Sequence, residues 1–309
     1  MNRLGLALVA LLSVNLSCKV SLTPESIGKT WHAIKDARKD LTPENEYYVG
    51  RSVATNLLAR HDYKYLDQDG FREGRIDGLT KYVTAVGTVV ASAALASPRN
   101  GDRPTPIGGW HFVVVESDVV NAFAAPGGWV FVTTATIRLA HNEDELAGVL
   151  AHEVAHVVRG HALGSIKKSR WAGVYKEALD STVELDERAL GDLTKVFDDS
   201  MHDMIDSTLV KGYSRDTEFE ADRVGMQVMA KAGYDPQALI KFLKRLAKHQ
   251  DTGSGGFSAT HPKAGDRIAK LQQELGKYRK VTAPPVRKER FQAAVSVLGE
   301  VAYRGRRSP

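Results

Sequence analysis

Residues 142–160, which read NEDELAGVLAHEVAHVVRG, decide the fold of this chain. Asn142 is a good N-cap, and Glu145 three residues later can reach back to complete a capping box. Apolar residues then recur at helical spacing, at Leu146, Val149, Leu150, Val154, Val157 and Val158. Gly160 follows the last of them and is typical of a helix C-terminus. The stretch therefore predicts one amphipathic helix with a buried face.

The same helix carries the pattern His152-Glu153-Val154-Ala155-His156. At about 100° per residue, the two histidines lie about 40° apart, so their neutral imidazoles can bind one metal ion. Glu153 lies about 60° from His156, where a carboxylate can act as a general base beside that ion. A pair of core histidines on an amphipathic helix is the alternative interpretation of this spacing.

A tetrahedral catalytic zinc site needs a third protein ligand and one open position. His161 lies about 140° from His156 around a helix, so we do not expect it to be a ligand. Glu218 and Asp222 are four residues apart and share a helix face, which suits one carboxylate on the metal and another on a ligating imidazole. Glu220 points away from Glu218 and is the weaker candidate. By itself, this segment also fits an ordinary charged helix.

Short strands are predicted on the N-terminal side of this helix. The β-branched runs His111–Glu116 and Trp129–Thr134 predict two strands, and the turn residues Pro126-Gly127-Gly128 between them predict a hairpin. Residues 79–97 are apolar and rich in alanine, which predicts a buried core helix, with a membrane-surface segment as the alternative. Further helices are predicted from Thr42-Pro43 to Leu58, from about Asp216, and over Ala264–Lys277. We therefore expect an α+β fold, mainly helical, with a small β-sheet or hairpin beside the metal-binding helix.

The composition is that of a globular protein, with 43% hydrophobic and 26% charged residues. A single cysteine excludes a disulfide framework and multi-cysteine metal sites, so a metal must be held by His, Asp and Glu. The formal net charge is +5, and part of it lies in a basic C-terminal tail over residues 281–309. We expect this tail to be solvated, with binding to anionic lipid or nucleic acid as the alternative. No nucleic-acid motif accompanies the tail, so we expect no nucleic-acid partner.

Residues 1–18 predict a signal peptide. Arg3 precedes a mainly apolar run from Leu4 to Val14, which is shorter than the about 20 residues of a membrane-spanning helix. Cys18 stands where a bacterial lipoprotein signal places its lipidated cysteine, although Asn15 departs from that signal. We expect an exported, periplasmic protein with a lipid anchor at Cys18 on the outer membrane; ordinary secretion is the alternative.

Four motifs together resemble the HtpX/CAAX-protease-type zinc metallopeptidases, which are gluzincins, and especially their soluble, exported bacterial branch. The motifs are Asn121-Ala-Phe-Ala-x-Pro-Gly-Gly, His-Glu-x-x-His, Glu218-x-Glu-Ala-Asp222, and His261-Pro262 with Arg267. They occur in the family's order, and the resemblance runs from about Glu44 to Leu271. The membrane helices of the integral family members have no counterpart in this sequence, so we do not expect processing of prenylated CAAX proteins.

The resemblance implies one zinc ion bound by His152, His156 and Glu218, with Glu153 as the catalytic general base. It also implies three supporting roles. Asp222 would hydrogen-bond to a ligating histidine, His261 would help to stabilise the oxyanion of the intermediate, and Arg267 would steady the acidic groups near the metal. A strand at the cleft edge would pair with the main chain of the substrate; its residues are Asn121, Ala122, Phe123 and Ala124.

The expected function is therefore that of a zinc-dependent metalloendopeptidase. The family implies that its substrates are unfolded or extended polypeptides, such as misfolded or unassembled cell-envelope proteins. The alternative is a peptide-binding chaperone or assembly factor with a latent or structural zinc site. The expected organisation is a signal peptide over 1–18, a metallopeptidase domain over 24–280 and the basic tail over 281–309.

Overall fold

A computed structural model describes residues 43–59, 64–65, 75–96, 98, 101–163, 212–250, 261 and 264–304. The helices in these ranges are α1 (Pro43–Ala59), α2 (Arg75–Leu95), α3 (Thr134–Leu139), α4 (Glu143–Val158), α5 (Arg215–Lys231), α6 (Gln237–Gln250), α7 (Ala264–Leu275) and α8 (Pro285–Arg304). The strands are β1 (Lys64–Tyr65), β2 (His111–Glu116), β3 (Ala122–Ala125) and β4 (Trp129–Thr133). The predicted mainly helical α+β fold is confirmed. The predicted signal peptide with Cys18 lies outside the described residues.

The four strands form one mixed sheet in the order β1-β2-β4-β3. The hairpin predicted between His111–Glu116 and Trp129–Thr134 is wrong, because β2 and β4 pair in parallel. The turn at Pro126–Gly128 instead joins β4 to β3, which pairs with it antiparallel. A tight hairpin joins two strands that follow each other directly in the sequence. The alanine-rich β3 lies between β2 and β4 in the sequence, so these two strands cannot form a tight hairpin. As a result, β3 forms one edge of the sheet.

Helix α4 begins and ends as its sequence predicts. The side chain of Asn142 accepts a hydrogen bond from the backbone N–H of Glu145 at 3.0 Å. The Glu145 carboxylate reaches back one residue further than the capping box requires, to the N–H of His141 at 3.0 Å. The helix ends at Val158, and Gly160 takes the left-handed conformation with φ 65°. These contacts satisfy backbone groups that a helix leaves open at its ends.

The hydrophobic core surrounds α4. Leu146, Leu150 and Val154 are fully buried, and they join a cluster that includes one face of α2 and one face of α5. Helix α2 contains the 18-residue window Gly78–Leu95, which is long and apolar enough to cross a membrane by length and composition. Leu79, Val83 and Val90 of this window lie in the same core, and 39% of the window is buried. Core packing therefore accounts for one face of this helix.

The C-terminal segment differs from the solvated tail expected over 281–309. Residues Pro285–Arg304 form helix α8, and Phe291 and Leu298 are buried in the core. Arg287 and Arg290 form ion pairs with Asp144 and Glu143, which lie in the first turn of α4. Basic residues that suggested a solvated tail therefore dock this helix on the protein. The sequence signal for this contact is the acidic run at the start of the apolar helix α4, whose charge is opposite to that of the basic run at the start of α8.

Candidate metal centre

Helix α4 places His152, Glu153 and His156 in the protein interior, where each residue is at most 1% exposed. The Nε2 atoms of His152 and His156 lie 3.1 Å apart, and the two rings meet edge to face. Residues four apart on a helix lie one above the other, so the pattern His-Glu-x-x-His brings these nitrogens together.

Helix α5 brings two carboxylates against this pair. Glu218 and Asp222 are fully buried. One Glu218 oxygen lies 3.4 Å from Nε2 of His152, and the other lies 3.4 Å from Nε2 of His156. Gly225 permits the close approach of the two helices, because a Cβ at this position would lie 3.2 Å from the backbone nitrogen of His152.

His261 reaches the same place from a distant part of the sequence. Its Nδ1 atom lies 2.8 Å from both carboxylate oxygens of Glu218, and its Nε2 atom lies 3.9 Å from Oε1 of Glu153. Four buried residues therefore have potential ligand atoms that all lie within 4.8 Å of one another: His152, His156, Glu218 and His261. His261 therefore lies close enough to share a metal ion with the three predicted ligands.

The donor set fits a zinc ion. In a tetrahedral site with zinc–ligand bonds of about 2.0–2.1 Å, neighbouring ligand atoms lie about 3.3 Å apart. The separations among His152, His156 and Glu218 are 3.1, 3.4 and 3.4 Å. Two imidazoles and one carboxylate are also a ligand set of known catalytic zinc sites.

Glu153 has an environment that indicates a chemical role. Both of its carboxylate oxygens are buried and have no hydrogen-bond partner within the described part of the chain. Such a buried polar group is costly and uncommon, so it calls for an explanation beyond stability. Burial is the main cause that raises the pKa of Glu153 above its ordinary value. A carboxyl group with a raised pKa beside a metal site is a suitable proton acceptor.

The ring nitrogen of His152 that points away from the metal group, here called its outer nitrogen, faces a buried ion pair. Its Nδ1 atom lies 2.9 Å from Oδ1 of Asp222, and Arg267 donates to the two oxygens of Asp222 at 2.6 and 2.8 Å. Burial and Arg267 lower the pKa of His152, but its hydrogen bonds with Asp222 and Glu218 outweigh both and raise it to about 9. Burial opposes ionisation of Asp222, yet Arg267 lowers the pKa of this carboxyl to about 2.

The outer nitrogen of His156 has a different neighbour. Its Nδ1 atom lies 2.9 Å from Nδ1 of His161, and the ring of Tyr213 stacks on the His156 ring at a centroid distance of 4.2 Å. Burial lowers the pKa of His156 well below its ordinary value, and Glu218 offsets only part of this effect. Burial also lowers the pKa of His161. His161 lies outside the four-residue metal group, but its contact with His156 differs from the position that helical periodicity predicts for it.

The predicted substrate-binding residues lie at the sheet edge beside this group. Asn121 precedes β3, and its carbonyl accepts a hydrogen bond from the Thr136 hydroxyl at 2.7 Å. Ala122, Phe123 and Ala124 form most of β3, and the Ala122 carbonyl oxygen lies 3.4 Å from Nε2 of His261. The structure thus brings the edge strand, His261 and the metal group into one region.

A buried His-Glu-x-x-His helix, a carboxylate from a second helix and a small sheet with an edge strand define the metallopeptidase class. The chain belongs to peptidase family M48, whose model matches residues 81–275. This match extends from α2 through α7, and it confirms the family inferred from the four sequence motifs.

The chain is also similar to individual members of this class. It is 34% identical over 199 residues to the beta-barrel assembly-enhancing protease of Yersinia pestis, and 29% identical over 209 residues to the protein of the same name in Escherichia coli K12. It is 32% identical over 168 residues to the mitochondrial metalloendopeptidase OMA1 of Schizosaccharomyces pombe. These alignments cover 62%, 65% and 54% of this chain, but only 38%, 40% and 47% of the relatives. The chain therefore spans less than half the length of these relatives.

Proposed function

We propose that the chain is a zinc-dependent metalloendopeptidase that hydrolyses peptide bonds in extended polypeptides. The observation that carries this proposal is the buried carboxylate of Glu153, which has no hydrogen-bond partner among the described residues and lies beside four candidate metal ligands. Membership of peptidase family M48 and the protease names of the relatives support it.

His152, His156 and Glu218 would hold the zinc ion, and their burial would exclude competing water from the ligands. A bound zinc ion polarises a peptide carbonyl and lowers the pKa of a water molecule. Asp222 accepts the Nδ1 proton of His152, which fixes the tautomer that leaves Nε2 free for the metal. Arg267 holds Asp222 in its charged form, so the acceptor stays in place.

Glu153 accepts a proton from the attacking water at a carboxylate oxygen and then delivers it to the nitrogen of the leaving amine. Both of its oxygens are buried without a hydrogen-bond partner among the described residues, so either oxygen can take this proton. Nε2 of His261 lies 3.9 Å from this carboxylate. Because Nδ1 of this ring already faces Glu218, Nε2 can donate a hydrogen bond to the oxyanion on the scissile carbonyl when the ring carries both protons.

An extended substrate would add to the sheet beside β3, through the main chain of Asn121, Ala122, Phe123 and Ala124. Main-chain pairing of this kind recognises an extended backbone and tolerates many side chains. Residues Thr133 and Thr136 hold the Asn121 carbonyl at one end of the strand, at 3.0 and 2.7 Å. These contacts fix the position of the strand relative to the metal group.

We further propose that the protein acts in the bacterial cell envelope after export, with a lipid anchor at Cys18 on the outer membrane. The apolar run that precedes Cys18 supports export. The name of the bacterial relatives supports misfolded or unassembled envelope proteins as substrates. Labelled palmitate should enter the wild-type chain in cells but not a Cys18→Ser variant, and incorporation into both would remove the anchor from the proposal.

Cleavage of casein by the purified chain tests the activity. We expect hydrolysis that stops when a chelator removes the metal and returns when zinc is added. Glu153→Gln should abolish hydrolysis while stoichiometric zinc remains bound, because glutamine keeps the shape but cannot accept the proton. Wild-type chain that binds zinc and leaves casein intact would contradict the proposal, as would full activity of the Glu153→Gln chain.

One observation favours a second candidate function. His261 lies within the metal-binding group, so four protein side chains are available to one ion. A closed site with four protein ligands is typical of latent or structural zinc. In that case the chain would be a peptide-binding chaperone or assembly factor. If the site is latent, His261→Ala should create casein cleavage. If the zinc is structural, no variant should cleave casein, and the wild-type and Glu153→Gln chains should suppress the aggregation of an unfolded protein equally well.

A further inference from the structure

His161 meets the metal-binding histidine His156 through a single pair of ring nitrogens. The Nδ1 atoms of the two residues lie 2.9 Å apart, and the side chain of His161 is 9% exposed. A continued helix would place His161 about 140° from His156. Helix α4 ends at Val158, and Gly160 turns the chain with φ 65°, which brings His161 back to the metal side.

The hydrogen-bonding rules assign a direction to this contact. Nε2 of His156 faces the metal group, 3.4 Å from Glu218. A neutral imidazole that gives Nε2 to a metal carries its proton on Nδ1. Nδ1 of His156 is therefore the donor, and Nδ1 of His161 is the acceptor. His161 must then carry its own proton on Nε2.

A carboxylate lies on the side of His161 where that proton is needed. Oε2 of Glu220 is 3.5 Å from Nε2 of His161, an ion-pair contact without hydrogen-bond geometry and the longest contact in the series. Arg159 holds Glu220 through contacts of 2.7 and 2.8 Å to its other oxygen, and Asp102 accepts from Arg159 at 2.8 Å. A chain of polar contacts thus runs from the metal ligand His156 to the protein surface.

The ring of His156 is also held from its face by Tyr213, at an interplanar angle of 19°. Stacking restrains the tilt of the ring but does not determine which of its two nitrogens carries the proton. The contact with His161 supplies this restraint when His161 carries its proton on Nε2, toward Glu220, because Nδ1 of His161 can then only accept and Nδ1 of His156 must donate.

We propose that His161 and Glu220 are positioning residues that select the tautomer of His156 and hold its Nε2 toward the metal ion. They do for His156 what Asp222 does for His152. The inference rests on the proposed zinc site but not on peptide hydrolysis. Neither residue touches the reacting atoms, so we expect their effect in the affinity for zinc before any effect on chemistry.

A matched pair of variants tests this role. Asparagine and leucine have nearly the same shape, but only asparagine offers an oxygen at the place of the histidine Nδ1 atom. We expect His161→Leu to weaken zinc binding by about 10–100-fold, and His161→Asn to remain within about threefold of wild type. Competition with a chromophoric chelator measures the affinity, and the absorption spectrum of bound Co²⁺ reports the ligand geometry. Thermal unfolding of the chelator-treated chains shows whether both variants fold.

Unchanged zinc affinity in the His161→Leu chain would overturn the inference, and so would an equal loss in both variants. If His161→Leu does not fold, Glu220→Gln decides, because Glu220 is 32% exposed and its replacement disturbs little packing. We expect Glu220→Gln to lose less zinc affinity than is expected for His161→Leu. Unchanged zinc affinity in the Glu220→Gln chain would again overturn the inference. Wild-type chain that binds zinc but leaves casein intact would defeat the proposed protease and leave this result standing.

Discussion

The two histidines of the metal centre are supported in different ways. Nδ1 of His152 meets the carboxylate of Asp222 directly, and both side chains are 1% exposed. Nδ1 of His156 meets a second histidine, and the carboxylate beyond that residue, Glu220, is 32% exposed. The side of the centre with His152 and Asp222 therefore lies within the protein and is called the closed side. The side with His156, His161 and Glu220 extends to the surface and is called the open side.

This difference reverses the charge preference of two equally buried histidines. The pKa of His152 is raised to about 9, whereas the pKa of His156 lies well below its ordinary value. Burial lowers the pKa of both rings, so burial does not explain the contrast. The neighbours of each ring do: hydrogen bonds with Asp222 and Glu218 raise the pKa of His152, whereas positive charge on His152 and on His161 lowers the pKa of His156. The charged neighbours of each histidine thus affect its pKa as well as burial does.

The largest effect should come from the closed side. Asp222→Ala removes the main partner of the buried Arg267 guanidinium. Loss of one member of a buried ion pair costs about 3–5 kcal/mol of folding stability, because the remaining charge stays buried. Urea unfolding of the chelator-treated chain measures this loss, and a chelator competition should show weaker zinc binding as well.

Asp222→Asn is the matched control, since it keeps the shape and one hydrogen-bond acceptor. It should lose less stability than Asp222→Ala. A loss below about 1 kcal/mol in the alanine variant would mean that the closed side is not held by this ion pair.

Much of this centre follows from the sequence. The spacing of His152, His156, Glu218 and Asp222 places each pair on one helix face, and the structure brings both faces together. Helical periodicity is a local property, so it can be read without knowledge of the fold. His261 was found only through the family resemblance, because nothing in its local sequence points to a site 43 residues from Glu218.

The open side could not be predicted in the same way. The position of His161 depends on where α4 ends. The turn at Gly160 places His161 at an angle that a continued helix would not give. The strand pairing failed for a related reason. The alanines in β3 have little β-propensity, so the local pattern predicts that the turn at Pro126–Gly128 joins β2 to β4, whereas it joins β3 to β4.

Another buried acid, Glu143, extends the comparison to the first turn of α4. Glu143 accepts hydrogen bonds from Tyr82 at 2.9 Å and Tyr234 at 3.1 Å, and it pairs with Arg290. Burial alone would raise the pKa of Glu143, but the hydrogen bonds from Arg290 and Tyr82 hold it below the ordinary value of 4.5. A lowered pKa in the folded state stabilises the protein above pH 4.5, and this contribution is lost as the pH falls through the lower value.

We therefore expect Glu143→Gln to cost about 1–3 kcal/mol at pH 7. The gap between wild type and variant should narrow as the pH falls below about 4.5, because the wild-type carboxyl becomes protonated. Urea unfolding at a series of pH values measures both quantities. A gap that stays constant down to pH 3 would show that the charge of Glu143 does not stabilise the fold.

A smaller effect should follow from Gly225→Ala, which touches the closed side through the backbone. The new Cβ would lie 3.2 Å from the backbone nitrogen of His152, and a helix backbone cannot yield without moving the ligand. We expect a net loss of about 1 kcal/mol and weaker zinc binding. Gly78→Ala in α2 is the control, because a Cβ at Gly78 meets nothing within 4 Å and should stabilise the chain by about 1 kcal/mol. Equal gains in both variants would contradict the close approach of α5 to α4.

The smallest effect should come from the open side, where Glu220→Gln breaks the contact with Arg159. Both side chains are partly exposed, at 32% and 20%, so solvent and salt screen their attraction. We expect a loss of stability below about 1 kcal/mol, reduced further at high salt. The loss caused by Asp222→Ala should change little with salt, because its ion pair is buried. Urea unfolding in low and high sodium chloride measures both dependences. If Glu220→Gln cost as much as Asp222→Ala, burial would not be what separates the two sides of the centre, and the surface network would have to carry stability as well as position His156.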